Sequence, residues 1–279
     1  MSSLKRIAVH QMTSGVSPQQ NVSDMIEAMA ASAKSGAVMY FAPEMSIIID
    51  RDRIRARPHM AFESQLSALT ALSAAALEHR MWVHLGSIPV LHENGQKLAN
   101  RTIIIGADGL IKARYDKIHL FDVNLDTGEA WRESSAYVGG DRPVVAKTPL
   151  GLMGLAICYD MRFPDLFSAY AKSGADILTL PSAFTVPTGE AHWHTILRAR
   201  AIESETFVIA AAQCGLHEDG RATYGHSLVV DPWGTVILDM GVAPGLAFVD
   251  LDLTRIDDVR KQIPVNMNRR VISAPFIAG

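Results

Sequence analysis

From Gly151 to Pro164 the chain reads GLMGLAICYDMRFP, an apolar run that stops on a cysteine and turns polar within a residue. Leu152, Met153, Leu155, Ala156 and Ile157 have no polar residue among them, as in a strand buried on both faces. The short run and its flanking glycine favour a strand over a core helix. Tyr159, Asp160 and Arg162 follow at once, and Pro164 suits the first turn of a helix over Asp165 to Lys172. Cys158 is therefore expected where a strand ends and a loop begins, the place where sheets with helical crossovers bind ligands. The thiol alone does not establish a site, because free cysteine is among the most buried residue types. A base and an oxyanion stabiliser must come from elsewhere in the chain.

Two further segments have the same form. Arg6 to Gln11 reads as a first strand, and Ser17-Pro18-Gln19-Gln20 supplies an N-cap, a first-turn proline and a capping-box glutamine for a helix to about Lys34. Lys34-Ser35-Gly36-Ala37 closes that helix, and Val38 to Phe41 forms a short buried strand cut off by Pro43 and followed by Glu44. The helix after Pro164 closes on the same tetrapeptide, Lys172-Ser173-Gly174-Ala175, before the strand Asp176 to Leu180 and Pro181, a weak internal repeat. Between the two, Asp50 to Pro58 is a charged loop or lid, Glu63 to Arg80 a covering helix, and Met81 to Pro89 and Asn100 to Ile105 strands. Ala107-Asp108-Gly109 turns the chain into Leu110 to Tyr115, and Lys117 follows directly in YDKIHLFD. Phe121 to Pro143 is a long loop without periodicity. Val144 to Lys147 pairs with Leu152 to Ile157. Gly189 to Glu205 reads as a helix, and Phe207 to Ala212, His226 to Asp231, Thr235 to Asp239 and Leu246 to Leu251 as strands. Thr254 to Lys261 reads as a short helix, and the apolar tail ISAPFIAG as a segment docked on a partner subunit. Crossovers and hairpins with helices between them make the class mixed α/β, read as one domain over residues 1–279.

Net charge is −3 with both signs dispersed, which leaves no electrostatic footprint for nucleic acid or an anionic membrane and points to a small-molecule partner. No apolar run approaches a membrane span, and MSSLKRIAVHQM lacks a signal peptide's apolar region, so a soluble, cytoplasmic protein is expected. Two cysteines, Cys158 and Cys214, make no disulfide framework and fit a reducing compartment.

Glu44, Lys117 and Cys158 thus stand at strand ends in distant segments, and acyl transfer needs those three functions. A thiol attacks well only once deprotonated, which Glu44 could achieve, and the resulting oxyanion calls for Lys117 or the backbone N–H of Tyr159. FAPE, YDKIHLFD and GLAICYDMRFPDL resemble the three signature segments of the nitrilase superfamily of carbon-nitrogen hydrolases. PSAF, GEAHWH, LRARAIE, AAAQCG and YGHSLVVDPWGTV are similar to its Nit-type amidases, a branch that includes deaminated glutathione amidase and ω-amidase. The resemblance implies a four-layer α-β-β-α sandwich, two central sheets flanked by helices, paired into a homodimer or a higher homo-oligomer. It implies Glu44 as general base, Lys117 as oxyanion stabiliser, Cys158 as nucleophile and Glu133 as a second, orienting glutamate. The substrate would be a carboxamide bearing a carboxylate, deaminated glutathione or another 2-oxo acid ω-amide, hydrolysed to acid and ammonia through a thioester with no cofactor or metal. Lys117 would also help hold Cys158 as thiolate.

Arg162, four residues past the nucleophile, suggests a clamp for the substrate carboxylate or a structural ion pair with Asp160 or Asp165. Phe184, Thr185 and Trp193 are candidate pocket walls, though Phe184 and Trp193 fit the core as well. His192 and His194, two apart on a helix, diverge and do not make a metal site, and Cys214 packs near the site. Within the same chemistry a nitrilase or an N-carbamoyl amino acid amidohydrolase is the alternative. A non-catalytic scaffold is a reading of a different class, which a reactive Cys158 would exclude.

Overall fold

A computed structural model describes residues 4–277 apart from 94 and 125–129. The chain begins with a parallel β-α-β unit of β1 (Leu4–Gln11), α1 (Pro18–Lys34) and β2 (Met39–Phe41), with Ile7 opposite Met39 and Val9 opposite Phe41. Helix α1 starts at its proline, where the Ser17 side chain accepts the Gln20 N–H. The expected capping box is half made, because the Gln20 side chain donates to Asp24 at 2.8 Å.

Next come α2 (Arg53–Ala56), α3 (Ser67–Glu78), β3 (Trp82–His84), β4 (Ile88–Leu91), β5 (Leu98–Ile105) and β6 (Ile111–Asp116). The charged segment read as a loop carries α2 and a 3-10 turn at Arg57–His59, and the expected strand over Met81 to Pro89 is split at Gly86, whose φ is +68°. The long stretch without periodicity contains a hairpin of β7 (Asp122–Asn124) and β8 (Ala130–Arg132); its residues 125–129 lie outside the described ones. The chain continues through β9 (Val145–Thr148), β10 (Gly151–Leu155), α4 (Pro164–Lys172), β11 (Ile177–Thr179), α5 (Val186–Ser204) and β12 (Phe207–Ala210). A hairpin of β13 (Cys214–Leu216) and β14 (Ala222–Tyr224), absent from the sequence reading, precedes β15 (Leu228–Val230), β16 (Val236–Asp239), β17 (Gly245–Asp252), α6 (Thr254–Gln262) and α7 (Val265–Asn268).

The strands build two large sheets. One runs in the order β17-β1-β2-β3-β5-β4 with β6 also on β5, the other β16-β15-β12-β11-β10-β9. Alternation along β1 explains the layering, since successive side chains leave opposite faces of a strand. Ile7 and Val9 join Met39 and Phe41 in a core shared with Met153, Leu155, Ile177 and Val208 of the second sheet. Ala8 and Tyr40 face the other way, onto Met25 and Met29 of α1 and Leu69 and Leu72 of α3. Phe167 and Tyr170 of α4 and Trp193 and Leu197 of α5 cover the second sheet. The result is the expected four-layer α-β-β-α sandwich. Each sheet holds one β-α-β unit closed by Lys-Ser-Gly-Ala, and both cap glycines are left-handed, Gly36 at φ +81° and Gly174 at φ +76°.

Candidate active site

Backbone geometry at the ends of β2, β6 and β10 aims three side chains at one point. Glu44 follows Pro43 beyond β2, and its carbonyl neighbour is pinned by Gly86, where a Cβ would lie 1.8 Å from the Pro43 oxygen. Its Oε2 accepts the Ala183 N–H at 2.8 Å, while Oε1 accepts Lys117 Nζ at 3.0 Å and Asn100 Nδ2 at 2.9 Å. Lys117, just past β6, donates its N–H to the Asn100 carbonyl and accepts Gly140 N–H. Gly140 allows that contact, since a Cβ there would meet the Asp116 oxygen at 2.2 Å. Glu133 opens a 3-10 turn and takes Lys117 Nζ on both oxygens, at 2.9 and 3.1 Å, with Asn100 Nδ2 at 3.2 Å and the Phe121 N–H at 2.6 Å.

Cys158 sits three residues beyond β10 with φ +47°, a left-handed conformation uncommon for a residue with a side chain and concentrated at functional turns. Its N–H donates to the Pro181 carbonyl, and it opens a 3-10 helix to Arg162. Tyr159 lies in the opening turn of that helix, where amide groups lack intrahelical partners. Asp160 ties this turn to the lysine segment: it accepts Ile157 N–H at 2.9 Å, Tyr115 Oη at 2.7 Å and both the backbone N–H and ring Nδ1 of His119.

Glu44, Lys117 and Cys158 are all buried. Burial alone would lower the lysine's pKa, but the charges of Glu133 and Glu44 outweigh it and hold Lys117 well above the ordinary range. Cys158 goes the other way from expectation. Desolvation, then the charge of Glu44, push the thiol well above its usual pKa despite the opposing pull of Lys117. Two glutamates share the one lysine, so its pull on the thiol does not offset burial and the neighbouring acid.

The group lies in a cavity of about 960 Å³ lined by Glu44, Lys117, Glu133, Cys158, Phe184 and Thr185 together with residues of the 49–60 and 130–137 segments. Three sequence candidates are not on its wall: Tyr159, offered for its backbone N–H, Trp193 and Arg162. Trp193 is fully buried, donates Nε1 to the His226 carbonyl and packs on Phe184 with ring centres 5.2 Å apart. Arg162 holds its guanidinium 5.6 Å from the Phe184 ring centre and bonds His192 Nδ1 at 3.2 Å rather than an acid. His194 instead meets Asp239, which His226 also reaches, so the two histidines of the pair diverge. Among the described residues this His194, His226, Asp239 trio is a group whose ligand-capable atoms lie within 4.8 Å of one another, and the carboxylate is already satisfied by both rings. Cys214 is buried against Thr13. Pattern reading missed Asn100, which bridges both glutamates; its only signal was a side-chain amide in the strand LANRTIII. The Ala183 and Phe121 amides carry no sequence signal, since every residue but proline has one.

The carbon-nitrogen hydrolase family model matches residues 6–261. Deaminated glutathione amidase of Bos taurus is 42% identical over 278 residues, covering 96% of this chain and 83% of the relative. Deaminated glutathione amidase of Yersinia enterocolitica is 36% identical over 270 residues, covering 96% and 94%. The crystal structure of Saccharomyces cerevisiae Nit3, a member of branch 10 of the nitrilase superfamily, superposes with a TM-score of 0.86 at 27% identity, covering 96% of this chain and 97% of that one. With a buried thiol, acid and amine converging in one cavity of this fold, the chain belongs to the carbon-nitrogen hydrolase family of the nitrilase superfamily, as an amidase acting on carbon-nitrogen bonds other than peptide bonds.

Proposed function

We propose that the protein hydrolyses the amide of a small carboxamide bearing a carboxylate, deaminated glutathione or another 2-oxo acid ω-amide. The names of the bovine and Yersinia relatives support the substrate class and favour an amide over a nitrile or carbamoyl group. The observation that carries the chemistry is the Glu44–Lys117–Glu133 cluster in the cavity that holds Cys158.

In this reading Glu44 takes the thiol proton as Sγ attacks the amide carbon. Charge gathers on the carbonyl oxygen and meets Lys117 and the Tyr159 N–H. Glu44 then passes its proton to the departing nitrogen, releasing ammonia from a primary amide or the free amine from a substituted one, and a thioester remains on Cys158. Water gives a proton to Glu44 and attacks the thioester; the sulfur leaves and takes that proton back. Glu133 and Asn100 hold Lys117 and Glu44 in place for both halves. Phe184 and Thr185 line the pocket, and Arg162 and Trp193 brace the Phe184 ring from behind. Amine release should vanish in Cys158→Ala; release at the wild-type rate would sink the mechanism, and a wild-type chain that turned over no amide would return the scaffold reading.

The same reading places the chain as one functional unit in the cytoplasm, working as a homodimer. Two unpaired cysteines support a reducing compartment, and among the described residues no helix is long and apolar enough to cross a membrane. Val271, Ile272, Phe276 and Ile277, almost fully exposed in the single chain, support burial of the tail on a second copy.

A further inference from the structure

The cavity is much larger than a carboxamide needs, within the range that encloses a whole drug-sized ligand. Its wall away from the Glu44–Lys117 cluster is cationic and aromatic. Trp131, at the centre of β8, has the Arg221 guanidinium 4.9 Å and the Arg51 guanidinium 5.3 Å from its ring centre. Three distant segments thus meet on one indole: the loop after Asp50, the β7–β8 hairpin and the β13–β14 hairpin.

Among the described residues, the Trp131 Nε1 and the Arg221 Nε are both buried donors without a hydrogen-bond partner. Buried donors are nearly always satisfied, and leaving one unmade costs stability that a folded chain retains only where the group has other work. Among the described residues Asp219 is the acid paired with Arg221, at 3.7 Å, and its Oδ2 has no hydrogen bond there. This pair is looser than the bonded contact Arg101 makes with Asp116 at 2.7 Å. Arg51 adds a second positive charge, so the group keeps an excess of one over Asp219. Arg162, the cation expected from sequence to face the substrate, is off the cavity wall, whereas Arg221 and Arg51 are on it.

We infer that Arg221, Trp131 and Arg51 form an anion-binding subsite that receives a carboxylate of the substrate remote from the amide that Cys158 attacks. The inference rests on the amidase reading above and deepens it: the preferred substrates are extended amides with an anionic far end, of which a short ω-amide fills only the reactive part of the cavity. The Arg221 and Arg51 guanidiniums supply charge at the cavity wall, the Trp131 N–H adds direction once a bound carboxylate reaches it, and the stacked ring keeps Arg221 pre-organised.

The test uses the wild-type chain and two variants with deaminated glutathione and its twin in which the terminal carboxylate is a carboxamide. Wild type should prefer the acid by 10- to 100-fold in kcat/KM, carried mainly by KM, the range expected for a charge-assisted hydrogen bond in a water-poor site. Arg221→Ala should collapse that preference to near one, and Trp131→Phe, which keeps the ring and removes the N–H, should reduce it in part. A wild-type chain that turns over acid and carboxamide twin equally overturns the subsite, and this arm decides even if neither variant folds. Variants that keep the full preference also overturn it. A wild-type chain that hydrolyses neither compound overturns the substrate reading itself, which separates the two failures.

Discussion

At Cys158 the chemistry runs against the usual picture of an activated cysteine. The thiol is pushed up by burial and by the Glu44 carboxylate, so attack depends on a base that takes its proton. Replacing Glu44 by Gln removes a negative neighbour and should therefore lower the thiol's pKa while slowing turnover by roughly 10² to 10⁴. Iodoacetamide alkylation followed against pH would show the thiolate appearing at lower pH in Glu44→Gln than in wild type; a shift upward would mean that Glu44 is not the charge that sets it. Asn100 deserves its own test, because one amide NH₂ serves both glutamates. Asn100→Ala should cut kcat about 10-fold or more through misplacement of Glu44 and Lys117, with a far smaller change in KM, and equal effects on both constants would speak against a positioning role.

The elements place these residues through close backbone approaches rather than through side-chain packing alone. Gly86 splits the β3–β4 run and lets the chain touch Pro43, one residue before Glu44. Gly86→Ala would need both a positive φ and room that is not there, and should cost about 2–4 kcal/mol of stability with loss of activity. Urea unfolding would measure it, and a midpoint unchanged from wild type would remove Gly86 from this account. Local structure was largely legible: helix α1 spans Pro18 to Lys34 as its cap, proline and terminal glycine foretell, because those signals act within a few residues. The β7–β8 and β13–β14 hairpins were not legible. Their strands are three residues each, too short for a period to emerge, and they are paired by what surrounds them.

For the whole molecule, Val271, Ile272, Phe276 and Ile277 are exposed apolar residues among the described ones. If the tail docks on a second copy as proposed, removing residues 271–279 should lower the mass seen by light scattering toward that of a monomer, and an unchanged mass would overturn that docking. The layering itself follows from alternation along β1 and its neighbours, which leaves the second sheet as the partner for one face and α1 and α3 for the other.

The chain's order of residues, taken alone, determined where strands end and which chemical groups stand there: an acid after Pro43, an amine after β6, a thiol after β10. Those facts are local, written in runs of a few residues. Only the tertiary structure decided that Lys117 and Glu44, 73 residues apart, come within 3.0 Å, that Arg162 faces away and that Arg221 faces in. Convergence of that kind depends on two sheets packing face to face, and the free energy for it is spread over dozens of buried side chains rather than encoded at any one of them.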